Sequence, residues 1–384
     1  MLCIDNVDIK NKKILIRVDF NVPIIDGNII DVSRIEASVP TINYALNQNA
    51  AIILISHLGD PVDNLNTSVL QPIQDLSLKI VVPILEKFLN KPVKFISDWF
   101  DKNQIDINLG QVVLCENIRL ITAEKQNNPE FAKKLAEFAD VVIMDAFATA
   151  HRLHASTYGI LNYARVAAAG FLLYKEVNVL HQALLNPVRP LVAVVGGAKL
   201  STKLKVLKSL SEIADYLIVG GAIANTCLLA KGYNIGASLC DNNLLDLAQS
   251  LDRIVLPEDA VALNANGVIE QKDIQLIDEL DCILDIGEKT IKKYQTIINQ
   301  ANTVLWNGPM GKIEDPRFAN GTQWIANAIL ENKGLSIVGG GDTLGIIKQF
   351  KLDGFSCVST GGGAFLEFIE NHTLPMIELL NKFG

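Results

Sequence analysis

Short runs of apolar residues recur along the chain, and most of them lead directly into a polar or glycine-rich turn. The runs are almost continuous in Val, Ile and Leu, as is typical of parallel strands that are covered on both faces. They therefore predict buried strands. These runs lie at 13–20, 51–56, 111–117, 141–147, 191–197, 216–221, 302–309, 335–341 and 355–363.

Helical periodicity occupies several segments between these runs. It is clear in 203–215 and in 364–383, although Pro375 must interrupt the second helix. A further long helix is predicted within 165–190, where it ends at an Asn-Pro pair. Alternating strands and helices predict the α/β class, here two doubly wound, Rossmann-like parallel sheets joined by a helical hinge. Ligands of such sheets bind at the carboxyl ends of the strands.

The chain is long enough for more than one domain. It has 384 residues, and clusters of two or three glycines are concentrated in its second half. We therefore predict an N-terminal domain over 1–170 and a C-terminal domain over 171–384.

Composition narrows the class of protein. Hydrophobic residues make up 49% of the chain and the net charge is −8, which gives no electrostatic support to a nucleic-acid partner. The six cysteines show no metal-binding spacing, so they suit a core in a reducing compartment. The first residues lack the pattern of a signal peptide, and no apolar stretch reaches the length of a membrane span. We expect a soluble, cytoplasmic protein that binds neither membrane nor nucleic acid.

Residues 192–204, VAVVGGAKLSTKL, come close to a phosphate-binding loop. The spacing differs from the Walker pattern, in which the lysine directly follows the second glycine. Glycines at a strand–helix turn often do no more than permit tight packing. Four such turns occur in the second half, however, together with Lys199, Lys203 and Asp342. Helix N-termini attract phosphate and a carboxylate suits magnesium, so the set favours a nucleotide site.

The first half instead carries cations at or beyond the predicted strand ends. They are Arg34, His57, Arg119 and Arg152. Any one of these arginines could simply be a solvated surface residue, and His57 could equally be a neutral core histidine. Because parallel strands end at one edge of a sheet, the four side chains together could surround a small polyanion.

Nine motifs in order resemble the phosphoglycerate kinase family, from Arg17 to Glu370. They are RVDFNVP, DVSRI, SHLG-P, ENIR, DAF-TAHR-HAS, GGAK-S-K, WNGPMG, GGGDT and STGGGA. The resemblance implies reversible phosphoryl transfer from 1,3-bisphosphoglycerate to ADP, giving 3-phosphoglycerate and ATP in glycolysis. It also implies a monomer whose two domains close about the hinge. The residues after Pro375 are expected to pack back on the N-terminal domain.

The resemblance also assigns residues by motif. The triose substrate is expected at Asp19, Phe20, Asn21, Arg34, His57, Leu58, Gly59, Asp60, Arg119 and Arg152. The nucleotide is expected at Gly197, Lys203, Asn307, Glu314 (for the ribose), Gly340, Gly341, Asp342 and Thr343, with Mg²⁺ on Asp342. The migrating phosphoryl group is expected between Arg34, Lys199, Gly361 and Gly362. The acceptor is an ionised carboxylate, so no general base is required.

Two other functions remain open from the residues. A nicotinamide-dependent dehydrogenase would share the fold class, but no glycine cluster has GxGxxG spacing. A non-catalytic, nucleotide-binding scaffold is the stronger alternative, because the chain departs from the family pattern at four positions. Asp60 replaces an arginine, Ala148 replaces a glycine, and Lys312 and Ile313 replace Val-Phe.

Overall fold

The computed structural model describes residues 1–61, 76–101, 104–198 and 203–384. These residues divide into two compact units. Unit 1 consists of Met1–Val177 together with Thr373–Gly384, and unit 2 consists of Asn178–His372. None of the helices within these described ranges is long and apolar enough to cross a membrane.

Unit 1 is built on a parallel sheet of six strands. In spatial order they are β5 (Val93–Ile96), β6 (Val112–Cys115), β4 (Ala51–Ile55), β1 (Lys13–Val18), β7 (Val141–Asp145) and β8 (Ala167–Ala169). A hairpin of β2 (Ile24–Ile25) and β3 (Asn28–Ile29) follows β1. The helices between these strands are α1 (Ser33–Asn47), α2 (Val82–Leu89), α3 (Thr122–Lys125) and α4 (Pro129–Glu137).

Unit 2 contains a second parallel sheet of six strands. In spatial order they are β11 (Ile254–Val255), β10 (Tyr216–Val219), β9 (Leu191–Val195), β15 (Thr303–Asn307), β16 (Leu335–Val338) and β17 (Cys357–Val358). A separate antiparallel sheet has the order β13 (Ile269–Asp273), β12 (Asp259–Leu263) and β14 (Cys282–Ile286).

The helices of the second half surround these sheets. Helix α5 (Phe171–Leu185) contains the boundary between the two units. The others are α6 (Leu204–Ile213), α7 (Gly221–Ala230), α8 (Leu245–Ser250), α9 (Glu288–Asn299), α10 (Asn320–Glu331), α11 (Gly341–Gln349) and α12 (Gly362–Asn371). Short 3-10 helices lie at Ile4–Asn6, Leu78–Val81, Trp99–Asp101, Ile118–Leu120, Phe147–Thr149, Gly159–Asn162, Asn242–Leu244, Ile274–Leu276, Pro316–Phe318 and Asn381–Phe383.

The C-terminal segment belongs to unit 1. Helix α13 (Pro375–Leu380) begins at its proline, which suits the first turn of a helix because that position needs no hydrogen-bond donor. The Met376 N–H donates to the Ala150 carbonyl at 3.1 Å, and Ile377 and Leu380 are buried. The segment after Pro375 is therefore part of the first unit's core.

The α/β prediction with two parallel sheets is confirmed. Strands β1, β4, β7, β9 and β15 are buried along almost their whole lengths, which explains why their sequences are continuously apolar. The predicted helix within 165–190 is wrong at its start, because 167–169 form strand β8 beside β7. The predicted helix over 364–383 is divided into α12 and α13.

Candidate active site

In unit 1, the loop after β1 places a carboxylate among cations. Asp19 is buried; its Oδ2 accepts a hydrogen bond from Arg34 Nη1 at 2.7 Å, and its Oδ1 accepts from the Asn21 N–H at 3.1 Å. His57 follows the neighbouring strand β4, and its Nδ1 lies 3.8 Å from Asp19 Oδ1. The parallel sheet thus brings together three elements that are separate in sequence.

A buried arginine of the parallel sheet contacts the ring of His57. Arg17, in β1, is fully buried and lies with Nη2 3.3 Å from His57 Nδ1. Burial, followed by the charges of Arg17, Arg119 and Arg34, lowers the pKa of His57 well below its ordinary value. His57 is therefore a neutral side chain inside a cationic cluster.

Hydrogen bonds between neighbouring loops fix the backbone around this site. The Gly59 N–H donates to Asn21 Oδ1 at 2.8 Å, and the Phe20 N–H donates to Ser56 Oγ at 2.8 Å. Asn117 accepts from the Leu58 N–H at 3.2 Å and donates to the Leu58 carbonyl at 2.7 Å. The side chains of Phe20 and Leu58 are buried, so these two residues shape the loops from within the core.

Asp60 lies between two cations. Its Oδ2 accepts from Arg119 Nη1 at 3.0 Å, and its Oδ1 accepts from Lys125 Nζ at 2.8 Å. Arg119 is 7% exposed, and its Nε has no hydrogen-bond partner within the described residues. The carboxylate therefore orients Arg119 and Lys125 together.

Further cations complete the cluster in unit 1. Arg152 is exposed, and its charge lowers the pKa of Arg119 further after burial has done so. Burial, followed by the charges of Arg119 and Arg152, lowers the pKa of His154 to about 4. Arg119, Arg152 and His154 thus interact electrostatically within unit 1.

Unit 2 contains a cavity of about 760 Å³ at the carboxyl side of its parallel sheet. A cavity of this volume is within the range of small-molecule sites. Its walls combine apolar side chains with five polar ones. The polar ones are Asn225, Lys312, Glu314, Asp342 and Gln349, and the apolar ones include Ala222, Leu239, Ile283, Pro309 and Ile313.

Helix α11 begins at this cavity, and helix α12 begins beside it. Helix α11 starts at Gly341 and α12 at Gly362, and a Cβ added to Gly362 would lie 3.1 Å from the Gly341 nitrogen. Gly340 has φ +101°, and a Cβ there would lie 2.1 Å from Asn307 Nδ2. Only glycine fits at position 340, and both helix N-termini can offer N–H groups to an anion.

Near the start of α11, some side chains are engaged in internal hydrogen bonds, and one carboxylate is exposed. The Thr343 hydroxyl accepts from the Gly308 N–H and donates to the Gly339 carbonyl, each at 2.8 Å. Asn307 Nδ2 donates to the same Gly339 carbonyl at 2.7 Å. Asp342 is exposed, lines the cavity and makes no ion pair within the described ranges. Thr343 can therefore meet a ligand through its backbone N–H, and Asp342 through its carboxylate.

Lys203 lies beneath the glycine turn after β9. It is 4% exposed, and its Nζ donates to the Gly196 carbonyl at 2.7 Å. A Cβ added to Gly197 would lie 3.2 Å from the same nitrogen. The structure thus places Lys203 and Gly197 together, whereas Lys199 lies outside the described residues.

Several residues of the site were not identified from the sequence. They are Arg17, Asn117, Glu124, Lys125 and Ser156. Arg17 had a visible signal, because it is the charged residue within an otherwise apolar strand core. Asn117 and Ser156 lie within the quoted motifs ENIR and DAF-TAHR-HAS but were not singled out there. Glu124 and Lys125 gave no signal, since their roles depend on contacts between distant parts of the chain.

Comparison with known proteins gives one consistent result. The family model described as phosphoglycerate kinase matches residues 4–372. A protein of Francisella philomiragia named phosphoglycerate kinase is 44% identical over 99% of this chain and 98% of its own length. A protein of Baumannia cicadellinicola with the same name is 47% identical over 98% of this chain and 97% of its own.

Solved structures agree with the sequence comparison. The structure of phosphoglycerate kinase from Coxiella burnetii superimposes with a TM-score of 0.91 at 44% identity, covering 99% of both chains. The crystal structure of the enzyme from Pyrococcus horikoshii gives a TM-score of 0.83 at 29% identity, covering 99% of this chain and 98% of that one. The chain therefore belongs to the phosphoglycerate kinase family of glycolytic phosphotransferases.

Proposed function

We propose that the chain catalyses reversible phosphoryl transfer from 1,3-bisphosphoglycerate to ADP, giving 3-phosphoglycerate and ATP. The observation that carries this proposal is a division of chemistry between two sheets. A cluster of cations occupies the loops of unit 1. In unit 2 the N-terminus of α11, with that of α12 beside it, borders a cavity of about 760 Å³. Two anionic substrates of different size require such a pair of sites.

Unit 1 is proposed to bind the triose. Arg34, Arg119 and Arg152 offer charge to its phosphate and carboxylate, and His57 offers a neutral hydrogen bond. Asp19, Asn21 and Gly59 hold the surrounding loops, and Phe20 and Leu58 fix their shape from the core. Asp60 pairs with Arg119 and so competes with the ligand for that cation.

Unit 2 is proposed to bind the nucleotide. The phosphates meet the N–H groups of Gly340, Gly341 and Thr343 and the ammonium of Lys203, while Glu314 lies in the cavity wall for the ribose. Gly197 borders the same space, and Asn307 supports the turn at Gly339 and Gly340 beside it. The cavity is also lined by Ala198, Lys312 and Ile313. Lys312 and Ile313 stand where the family pattern has Val-Phe, so this difference alters the cavity wall and not the residues proposed to bind the phosphates.

The residues present fit a magnesium ion carried by the nucleotide. Asp342 offers an exposed carboxylate at the start of α11, and no cluster of three or more metal-ligating side chains occurs among the described residues. One carboxylate combined with phosphate oxygens and water is a usual magnesium environment. The bound ion would neutralise charge on the phosphates.

Transfer itself requires positioning and charge neutralisation. The acceptor carboxylate of 3-phosphoglycerate is already ionised at neutral pH, so the site needs no base. Arg34 and Lys199 are proposed to stabilise the migrating group together with the N–H groups of Gly361 and Gly362 at the start of α12. The two ligands must meet for this step, so the proposal includes domain closure. We also propose that the enzyme is a cytoplasmic monomer.

A coupled assay tests the activity. The full chain should form ATP from 1,3-bisphosphoglycerate and ADP, and Lys199→Ala should lower turnover by about 100-fold or more, as expected for loss of a preorganised charge. Nucleotide binding without turnover would instead support the scaffold alternative. The relatives compared above carry the enzyme's name and none of these matches favours that alternative.

A further inference from the structure

The contact between His57 and Arg17 determines which ring nitrogen of His57 carries the proton. A neutral imidazole carries its proton on either Nδ1 or Nε2, and the other nitrogen then accepts. His57 Nδ1 lies 3.3 Å from Arg17 Nη2 and 3.8 Å from Asp19 Oδ1. The first distance is within hydrogen-bond range and the second is beyond it.

Arg17 leaves no ambiguity about which group donates. A guanidinium has five N–H donors and no acceptor, so Nδ1 must be the acceptor in this contact. The proton of neutral His57 therefore lies on Nε2. This nitrogen is the one available to a ligand.

The orientation of Arg17 is itself fixed by buried groups. Its Nε donates to Ser156 Oγ at 3.0 Å and its Nη1 donates to the Val18 carbonyl. The Ser156 hydroxyl donates to Glu124 Oε1 at 2.6 Å, and the Ser156 N–H donates to Glu124 Oε2 at 2.8 Å. Arg17, Ser156 and Glu124 are all fully buried, so the guanidinium cannot rotate away at little cost.

We propose that Arg17 is a positioning residue, which holds His57 as the Nε2–H tautomer so that the neutral ring donates a hydrogen bond to an oxygen of the anionic substrate. The statement about the substrate rests on the function proposed above; the statement about the tautomer does not. Arg17 does not need to touch the substrate, because it acts through His57.

The alternative is that His57 is a satisfied core residue. Its environment favours the proposal, because the ring is 6% exposed yet is surrounded by charge. The groups facing it are Arg17, Arg34, Arg119, His154 and Asp19. Beside three arginines a charged histidine would be unfavourable, whereas a neutral donor adds a hydrogen bond without repulsion.

Nitrogen-15 spectra of the ligand-free, full-length chain test the tautomer directly. The His57 signals are identified by their loss in His57→Gln. We expect an unprotonated Nδ1 and a protonated Nε2 from pH 6 to pH 8. A protonated Nδ1, or a ring that becomes charged in this interval, would overturn the proposal whether or not the chain is an active kinase.

Substitution of Arg17 tests the link to substrate binding. Arg17→Met should give a mixture of tautomers and raise the Kd of 3-phosphoglycerate by about tenfold or more, with the Kd of MgADP unchanged. Arg17→Lys retains a residue that can only donate, so it should keep the Nε2–H tautomer and most of the affinity. An altered tautomer with unchanged affinity would overturn the positioning role. If Arg17→Met fails to fold, Arg17→Lys and the spectra of the unaltered chain still decide.

Discussion

A carboxylate at position 60 reorganises the cationic cluster of unit 1. The family resemblance leads us to expect an arginine there, and Asp60 instead accepts hydrogen bonds from Arg119 and Lys125. In the proposed triose site, the substrate shares Arg119 with a competing anion. Asp60 is itself partly exposed, so solvent screening limits the repulsion between it and the ligand.

We expect Asp60→Arg to lower the KM for 3-phosphoglycerate at least several-fold. The change removes the competing carboxylate and adds a donor, and one charge-assisted hydrogen bond is worth roughly 1.5–3 kcal/mol. The KM for MgATP should stay nearly constant, because its proposed site lies in unit 2. Steady-state kinetics at fixed ionic strength measure both constants.

Asp8→Arg is the matched control for that substitution. Asp8 is an exposed carboxylate of unit 1 that pairs with Lys12, and it precedes β1, whereas Asp60 follows β4. The two residues thus lie at opposite ends of neighbouring parallel strands, roughly 17 Å apart along the strand direction. If both substitutions lowered the KM for 3-phosphoglycerate equally, the effect would come from net charge and not from the position of Asp60. An unchanged KM in Asp60→Arg alone would mean that the carboxylate does not compete with the substrate.

Asp342 provides a second prediction at the scale of single residues. Asp342→Asn should weaken binding of MgADP by more than it weakens binding of ADP without metal, because only the metal complex needs the carboxylate. Calorimetric titrations with and without Mg²⁺ compare the two losses. Equal losses would contradict the role of Asp342 as a magnesium ligand.

At the scale of elements, the start of α5 depends on a buried acid from another strand. Asp145, the last residue of β7, accepts from the Leu173 N–H at 3.2 Å, and its Oδ2 has no partner among the described residues. Burial raises the pKa of Asp145 from 3.8 to about 7. The folded state therefore binds this proton more tightly than the unfolded state does.

The raised pKa of Asp145 makes the free energy of unfolding decrease as the pH rises. Because the folded pKa is the higher one, the stabilising contribution is complete below pH 4 and is lost as the pH rises towards about 7. Asp145→Asn cannot ionise, so its stability relative to the parent should increase from about pH 5 to about pH 8. The increase should be at most about 3 kcal/mol, because only about 2 pH units separate pH 5 from the folded pKa. Denaturant unfolding at both pH values measures the difference. A relative stability that falls with pH would contradict the assignment.

The elements that could be predicted from the sequence are those whose environment allows only one kind of residue. Strands buried on both faces need continuous apolar sequence, so β1, β4 and β15 were evident from pattern alone. Strand β13, with the sequence IEQKD, is partly exposed and mixed in polarity, and the antiparallel sheet to which it belongs was not predicted. Strand β8 consists of three alanines, whose helical preference is overridden by pairing with β7.

The same limit applies to the site. Cations after strands could be listed from the sequence, because topology brings strand ends together. The contact between Arg17 and Ser156 joins residues 139 positions apart, and the sequence contains no local trace of it. Asp60 was recognised as a departure, but its partner Lys125 became visible only with the fold.

At the scale of the whole molecule, each unit is proposed to bind one ligand. Unit 2 is continuous in sequence, from Asn178 to His372, whereas unit 1 includes the C-terminal segment. The Met376 N–H and the buried side chain of Leu380 tie that segment to unit 1. The proposed triose residues all belong to unit 1 and the proposed nucleotide residues to unit 2.

Amide chemical-shift mapping on the full chain tests this central claim most directly. Addition of MgADP alone should shift amides around 196–204, 307–314 and 339–345, and 3-phosphoglycerate alone should shift those around 17–21, 57–60, 117–125 and 150–157. Each ligand thus serves as the control for the other. Shifts caused by MgADP that appear mainly in residues 17–60 would contradict the account.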